Sequence, residues 1–151
     1  MAAQQTQKLT YAGDVEPVDT WRALQENPNT VLIDVRTPQE WAYVGIVDTT
    51  ELGRACLFVP WLFYPRMTPN PDFVAQVHHA ASLSEATPRD TPLYFICRSG
   101  VRSAYAAHRF CELGFENCYN VAGGFEGDPN DDKHRGTING WKVAGLPWIQ
   151  G

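Results

Sequence analysis

Short apolar runs and stretches of helical spacing alternate along this 151-residue chain. Val31 to Val35 (VLIDV) is β-branched and bounded by turn residues, which predicts a buried strand. Pro92 to Ile96 and Asn117 to Val121 carry the same signature, and Ala55 to Val59 (ACLFV) is a fourth candidate. Helical patterns fall between these runs. Pro17 to Asn27 sets Val18, Trp21 and Leu24 on one stripe, with Asp14 or Glu16 near its start. Thr37-Pro38-Gln39-Glu40 has the form of a capping box with proline at the first helical position, and opens a short helix through Trp41 and Tyr43. Asn70-Pro71 opens another helix reaching Ala81, and Gly100 to Leu113 is a helix closed by Gly114. Strands and helices in alternation predict an α/β domain with a mostly parallel sheet. Residues 1–7 are polar and predict a loose N-terminus, leaving 8–151 as a single domain.

Composition narrows the picture. No window approaches the roughly 18 consecutive apolar residues that a membrane span requires. The opening MAAQQTQKLT lacks a basic stretch followed by an apolar core, so it does not read as a signal peptide, and a cytoplasmic location is expected. A formal net charge of −5 and the lack of any long basic run argue against nucleic acid as a partner. The four cysteines (Cys56, Cys97, Cys111, Cys118) form no C-x-x-C and share no zinc-finger spacing with histidine. Disulfides are not expected in a reducing compartment. Each thiol therefore has to be judged alone.

Cys97 stands out. It ends the apolar run Leu93 to Ile96, and arginines, a glycine and a helical pattern follow at once (FICRSGVRSA, Phe95 to Ala104). In open α/β sheets ligands gather at the carboxyl ends of strands, where this thiol sits. The following helix directs free amides and partial positive charge at the loop, which favours thiolate over thiol. Gly100 lets successive N–H groups turn inward as an anion-binding nest. Arg98 and Arg102 add permanent charge for an oxyanion, and Ser99 and Ser103 add hydroxyl donors. The alternative is a small buried hydrophobe at a strand end, with arginines that merely solubilise the loop. Both arginines in this strand–loop–helix setting favour a nucleophile that attacks anionic substrates.

C-R-S-G-V-R-S, from Cys97 through Val101 to Ser103, resembles the active-site loop of rhodanese-domain sulfurtransferases. LIDVRTPQEW (Leu32 to Trp41) is similar to that family's N-terminal signature. SAYAAHRFCELGFENCYNVAGGF resembles its helix–strand–glycine-pair segment, and GWKVAGLPW its C-terminal ending. Together these cover residues 14–148. The resemblance implies a rhodanese fold: a central five-stranded, mainly parallel sheet flanked by helices on both faces. It also implies that Cys97 takes a sulfane sulfur from a small anionic donor such as thiosulfate and passes it from a persulfide to cyanide or a thiol, a protein acceptor included. Arg98 and Arg102 would receive the donor, and no metal or organic cofactor is called for. Two other classes share the fold. Phosphatases and arsenate-type reductases form one, but the phosphatases carry C-x5-R, whereas Cys97 to Arg102 is the shorter C-x4-R. Non-catalytic interaction modules form the other, and they usually lack the cysteine.

Two segments depart from the family pattern. Where G-H-I-P-G-A is usual, this chain reads VGIVDTTELGR from Val44, and PWLFYPRMTPNP (Pro60 to Pro71) follows as either a pocket wall, a docking surface or a loop tucking its aromatics inward. Glu126 to Asn139 is longer and more polar than the usual connection. Asp128, Asn130 and Asp132 alternate as calcium ligands would, but Lys133 and Asn139 stand where an EF-hand needs Gly and Glu, so a solvated loop is expected. Asp34 and Arg36 end a strand on the site's side, as a structural ion pair first and electrostatic support of the loop second. His78, His79 and His108 read as partly exposed helix positions. Cys56, Cys111 and Cys118 read as inert core thiols.

Overall fold

The computed structural model describes residues 8–150, so the loose N-terminus expected over residues 1–7 lies outside the described residues. Five parallel strands form the central sheet: β1 (Gly13–Val15), β2 (Val31–Asp34), β4 (Leu57–Phe58), β7 (Leu93–Ile96) and β8 (Cys118–Val121). Their spatial order is β1-β8-β7-β2-β4, with β7 in the middle. Register runs Val31↔Leu93 to Asp34↔Ile96 on one side of β7 and Leu93↔Cys118 to Phe95↔Asn120 on the other. Strands covered on both faces must be apolar throughout, which is why VLID and LYFI lack the alternation of a half-exposed sheet.

Side chains along β2 and β7 alternate between two cores. Ile33, Val35, Leu93, Phe95 and Cys97 face α3 (Phe73–Ala80) and α4 (Val101–Glu112), meeting Phe73, Val77, Ala106, Ala107 and Phe110. Leu32, Tyr94, Ile96 and Val121 face the other way, onto Leu24 of α1 (Pro17–Glu26), Phe125 and Trp141. Helices thus cover both faces, as expected. Cys97 simply continues the period of two, and this carries its thiol to the α4 side.

Several elements differ from the sequence reading in detail. In α1 the buried stripe is Pro17, Thr20 and Leu24, while Val18 is exposed. Thr20 tolerates burial because its hydroxyl donates to the Glu16 carbonyl at 3.1 Å. Neither Asp14 nor Glu16 caps α1; Glu16 occupies the cap position without a side-chain bond. The ACLFV run pairs over only Leu57 and Phe58, since β4 is an edge strand with one neighbour. α3 begins at Phe73, because the Asn70 side chain accepts from the Asp72 N–H at 3.0 Å and holds a turn there. Gly13–Val15 and the two small antiparallel ribbons escaped the sequence reading. One ribbon pairs β3 (Ile46–Val47) with β9 (Trp148–Ile149), and the other pairs β5 (Leu62–Phe63) with β6 (Thr68–Pro69). Each is too short to carry a periodic signal.

Asp34 and Arg36 form a fully buried ion pair at the end of β2, with Arg36 Nη2 at 2.7 Å from Asp34 Oδ2. Arg36 Nε and backbone N–H also donate to the carboxylate, and Nη2 donates to the Gly45 carbonyl at 2.9 Å. The guanidinium lies 4.3 Å from the centroid of the Phe125 ring. This pair staples the β2 end to the turn after α2 (Pro38–Tyr43) and to the glycine-rich segment beyond β8. Replacing Arg36 by leucine strands a buried carboxylate, so Arg36→Leu is expected to destabilise the fold by about 3–5 kcal/mol in urea unfolding. Adding Asp34→Asn to that variant should recover part of the loss.

Candidate active site

β7 delivers Cys97 to the C-terminal edge of the sheet, and α4 starts four residues later. So tight a reversal requires Gly100, whose φ of 107° lies where other residues are strained. A glycine at the cap position leaves the first-turn amides of α4 without a side-chain acceptor. The thiol fills part of that role: Gly100 N–H donates to Cys97 Sγ at 3.1 Å, and Ser103 Oγ lies 3.1 Å from the same sulfur. Cys97 is only 1 % exposed, so these bonds act with little competition from water.

A backbone clamp shapes the loop from behind. Phe125 N–H donates to the Cys97 carbonyl at 2.8 Å, and Glu126 and Gly127 N–H groups donate to the Arg98 carbonyl at 2.9 and 3.2 Å. With both carbonyls drawn outward, the loop can present N–H groups to its concave side. The clamp needs close approach. A Cβ on Gly124 would stand 2.5 Å from the Cys97 carbonyl oxygen, and Gly124 itself has φ of 62°. The paired glycines of VAGGF were the one sequence signal for this contact.

The two arginines separate. Arg102 Nη1 and Nη2 each lie 2.8 Å from a carboxylate oxygen of Glu40, a bidentate pair spanning 62 residues of chain. Arg102, expected with Arg98 to receive an anionic donor, thus has its fork bonded to Glu40. Burial alone would lower the Arg102 pKa, but the Glu40 bonds outweigh it, helped by Cys97 and Tyr64, and the net shift is upward. Burial pushes Glu40 up, yet its bonds to Arg102 and Thr37 outweigh that and hold the carboxyl below its ordinary value of 4.5. Glu40 also completes the predicted capping box with Thr37. One carboxylate thus caps α2 and anchors α4, and sequence spacing revealed only the first task. Arg98 is exposed and enters none of the ion pairs among the described residues. Ser99 is half-buried in the turn, and Val101 is exposed at its rim.

The remaining candidates fall into place around this loop. The Pro60–Pro71 segment divides: Trp61 packs on Phe73 at 4.9 Å between ring centroids, whereas Phe63, Tyr64 and Met67 at the β5–β6 tip are exposed. Burial pushes the Cys56 thiol well up and that of Cys118 up to about 12, so both are inert. Cys111, expected in the core, is only half-buried. His78 Nδ1 lies 2.8 Å from the Val74 carbonyl, and Thr10 N–H donates to His108 Nδ1, so these two serve structure. In the 126–139 segment Asn130 Oδ1 accepts from the Asp132 and His134 N–H groups, and Asp128 bonds Asn139. Its polar side chains organise the loop itself. A cleft of about 490 Å³ lined by Asn27, Val31, Pro88 and Pro92 lies at the opposite, N-terminal end of the sheet from Cys97.

A buried thiol in a tight loop at the C-terminal edge of a parallel sheet, closed by a glycine clamp, defines a class. The family model described as Rhodanese-like domain matches residues 17–128, and the chain belongs to that family. It is similar to Rv0390 from M. tuberculosis, whose crystal structure aligns with a TM-score of 0.83 at 42 % identity, covering 94 % of this chain and 100 % of that one. A polysulfide-sulfur transferase homodimer from Wolinella succinogenes aligns with a TM-score of 0.58 at 25 % identity, over 91 % of this chain and 77 % of that one. An uncharacterised protein of Rickettsia prowazekii is 36 % identical over 122 residues, 81 % of this chain and 85 % of that protein. The thiosulfate sulfurtransferase GlpE of Actinobacillus pleuropneumoniae is 25 % identical over 134 residues, 89 % of this chain and 90 % of that protein. Among the described residues, no helix is long and apolar enough to cross a membrane.

Glu40 has a folded pKa below its unfolded one, so its stabilising contribution is complete above the unfolded value and disappears as pH falls through the folded value. Glu40→Gln should therefore be less stable than the parent at pH 7 by about 1–3 kcal/mol, with the difference closing as thermal melts are repeated toward pH 3. Gly124→Ala should lower stability by about 1–3 kcal/mol through its positive φ alone. It should also displace the Cys97 carbonyl, read as a changed rate of Cys97 alkylation.

Proposed function

We propose that this protein is a sulfurtransferase that carries sulfane sulfur on Cys97. The observation behind this reading is a thiol bonded by the Gly100 N–H at the uncapped start of α4, inside a loop whose carbonyls are clamped outward. Cys97 thiolate attacks the outer sulfur of an anionic donor such as thiosulfate. The donor's S–S bond breaks, sulfite leaves with the bonding pair, and Cys97 becomes a persulfide. An acceptor thiolate, or cyanide, then attacks the terminal sulfur, and Cys97 leaves as thiolate. Electron pairs move only between sulfur centres and the acceptor, so no outside oxidant or reductant enters.

The chain's own groups divide the work. Gly100 N–H and the first-turn amides of α4 stabilise negative charge on sulfur. Exposed Arg98 attracts the donor anion, while Arg102 with Glu40 fixes the loop. The similarity to proteins described as a thiosulfate sulfurtransferase and a polysulfide-sulfur transferase supports thiosulfate and polysulfide as donor classes. Four free cysteines suit a reducing, cytoplasmic setting.

Intact mass after brief treatment with thiosulfate or polysulfide should show a gain of one sulfur, removed by cyanide and absent in Cys97→Ser. A gain that cyanide does not reverse is oxidation by two oxygens and counts against the reading. Turnover of an aryl phosphate in place of sulfur transfer would assign the loop to phosphoryl chemistry.

A further inference from the structure

Behind the thiol lies a polar chain that the sulfur chemistry described above does not use. Ser103, fully buried in the first turn of α4, places Oγ 3.1 Å from Cys97 Sγ and 2.5 Å from Asn120 Oδ1 on β8. Asn120 Nδ2 donates to Asp14 Oδ1 on β1 at 3.0 Å and to the Gly100 carbonyl at 3.1 Å. Asp14 Oδ1 also accepts from the Tyr11 hydroxyl at 2.7 Å. Burial, and then Asp14, pushes Tyr11 up to about 12, so it remains a donor at neutral pH.

Proton counting gives this chain a direction. The Ser103 hydroxyl has one proton and two acceptors within reach, Cys97 Sγ and Asn120 Oδ1. Asn120 Oδ1 is the nearer and stronger acceptor, so the hydroxyl proton points to it and the sulfur–Oγ contact is left to the thiol's own hydrogen. Asn120 cannot turn its amide over to help. Its oxygen would then face the Asp14 carboxylate and the Gly100 carbonyl, two acceptors that offer it no hydrogen, and the bonds to both would be lost.

We propose that Ser103 is a two-position donor and that Asn120, locked by Asp14, is the acceptor that holds it off the sulfur at rest. When Cys97 ionises, the thiol proton passes to water and the Ser103 hydroxyl rotates to donate to the thiolate. Its bond to Asn120 is given up in the process. Asn120 and Asp14 are thus positioning residues that act on Cys97 through the Ser103 hydroxyl. The inference rests on Cys97 as nucleophile, but its readout is the thiol's titration, which stands whether or not a sulfur donor is found.

Opposite shifts test it. The readout is the pH midpoint of alkylation at the peptide carrying Cys97, with folding checked by thermal melts. Asn120→Ala releases Ser103 and should lower the midpoint by about one pH unit, while Ser103→Ala removes the donor and should raise it by a similar amount. Isosteric Asn120→Asp should also raise it. The decisive arm is the double variant: with Ser103 absent, Asn120→Ala should shift nothing further. Arg102 with Glu40 is the ion pair close enough to feel the charge on Cys97, Arg98 is the next residue in the loop, and the Asp34–Arg36 pair on adjacent β2 packs on the opposite face with Phe125; all are common to every arm. An unchanged or raised midpoint in Asn120→Ala overturns the inference. So does an equal downward shift with and without Ser103, which would mean that Asn120 acts on the loop's packing and not through the hydroxyl.

Discussion

The carbonyl groups of Cys97 and Arg98 must find donors outside the loop if the loop is to turn its N–H groups inward. The amides of Phe125, Glu126 and Gly127 supply them, and only a glycine at 124 lets the two backbones come close enough. Much else in the molecule holds that contact in place. β8 aims the glycine turn at the end of β7, Phe125 packs beneath the Arg36 guanidinium, and Trp141 N–H bonds the Gly124 carbonyl from the C-terminal segment. The long polar 126–139 segment is tied into the same place, since Gly136 N–H donates to the Glu126 carbonyl and Arg135 to that of Gly127.

Charge is distributed around the thiol with each cation given a different task. Arg36 is buried with Asp34 and is structural. Arg102 is shared with Glu40 and joins α4 to α2, so that the start of this helix is fixed by a residue 62 positions away. Arg98 alone faces solvent. A loop whose cations were all free would attract anions more strongly, but nothing would hold its shape. Here one guanidinium sets the geometry and another stays exposed.

Behind the Cys97 thiol the structure is polar, and the chain of side chains runs out to the exposed carboxylate of Asp14. Ser103, Asn120 and Asp14 come from α4, β8 and β1, and β1 reaches the site only because it pairs with β8 as an edge strand. That short strand, with a glycine and an aspartate among three residues, contributes little to the core. Its place in the sheet sets a carboxylate beside the Asn120 amide.

Local chemistry was legible without coordinates wherever it rested on neighbours in sequence. Apolar runs buried on both faces marked β2, β7 and β8, the Thr37–Glu40 spacing marked α2, and a thiol between a strand and a glycine-opened helix marked Cys97. A mostly parallel sheet followed from alternation, and its five strands from the family resemblance alone. What the sequence could not reveal were partners that only the fold brings together. Glu40 looked like a cap and nothing more, Asn120 like one polar residue in a strand, and Arg102 like a cation for an anionic donor. Their partners lie between 17 and 106 residues away, and no periodicity encodes such a pairing. Short-range order depends on backbone geometry and side-chain type, which sequence carries directly. The shape and protonation of the site depend on which buried polar groups meet, and the packing of the sheet decided that.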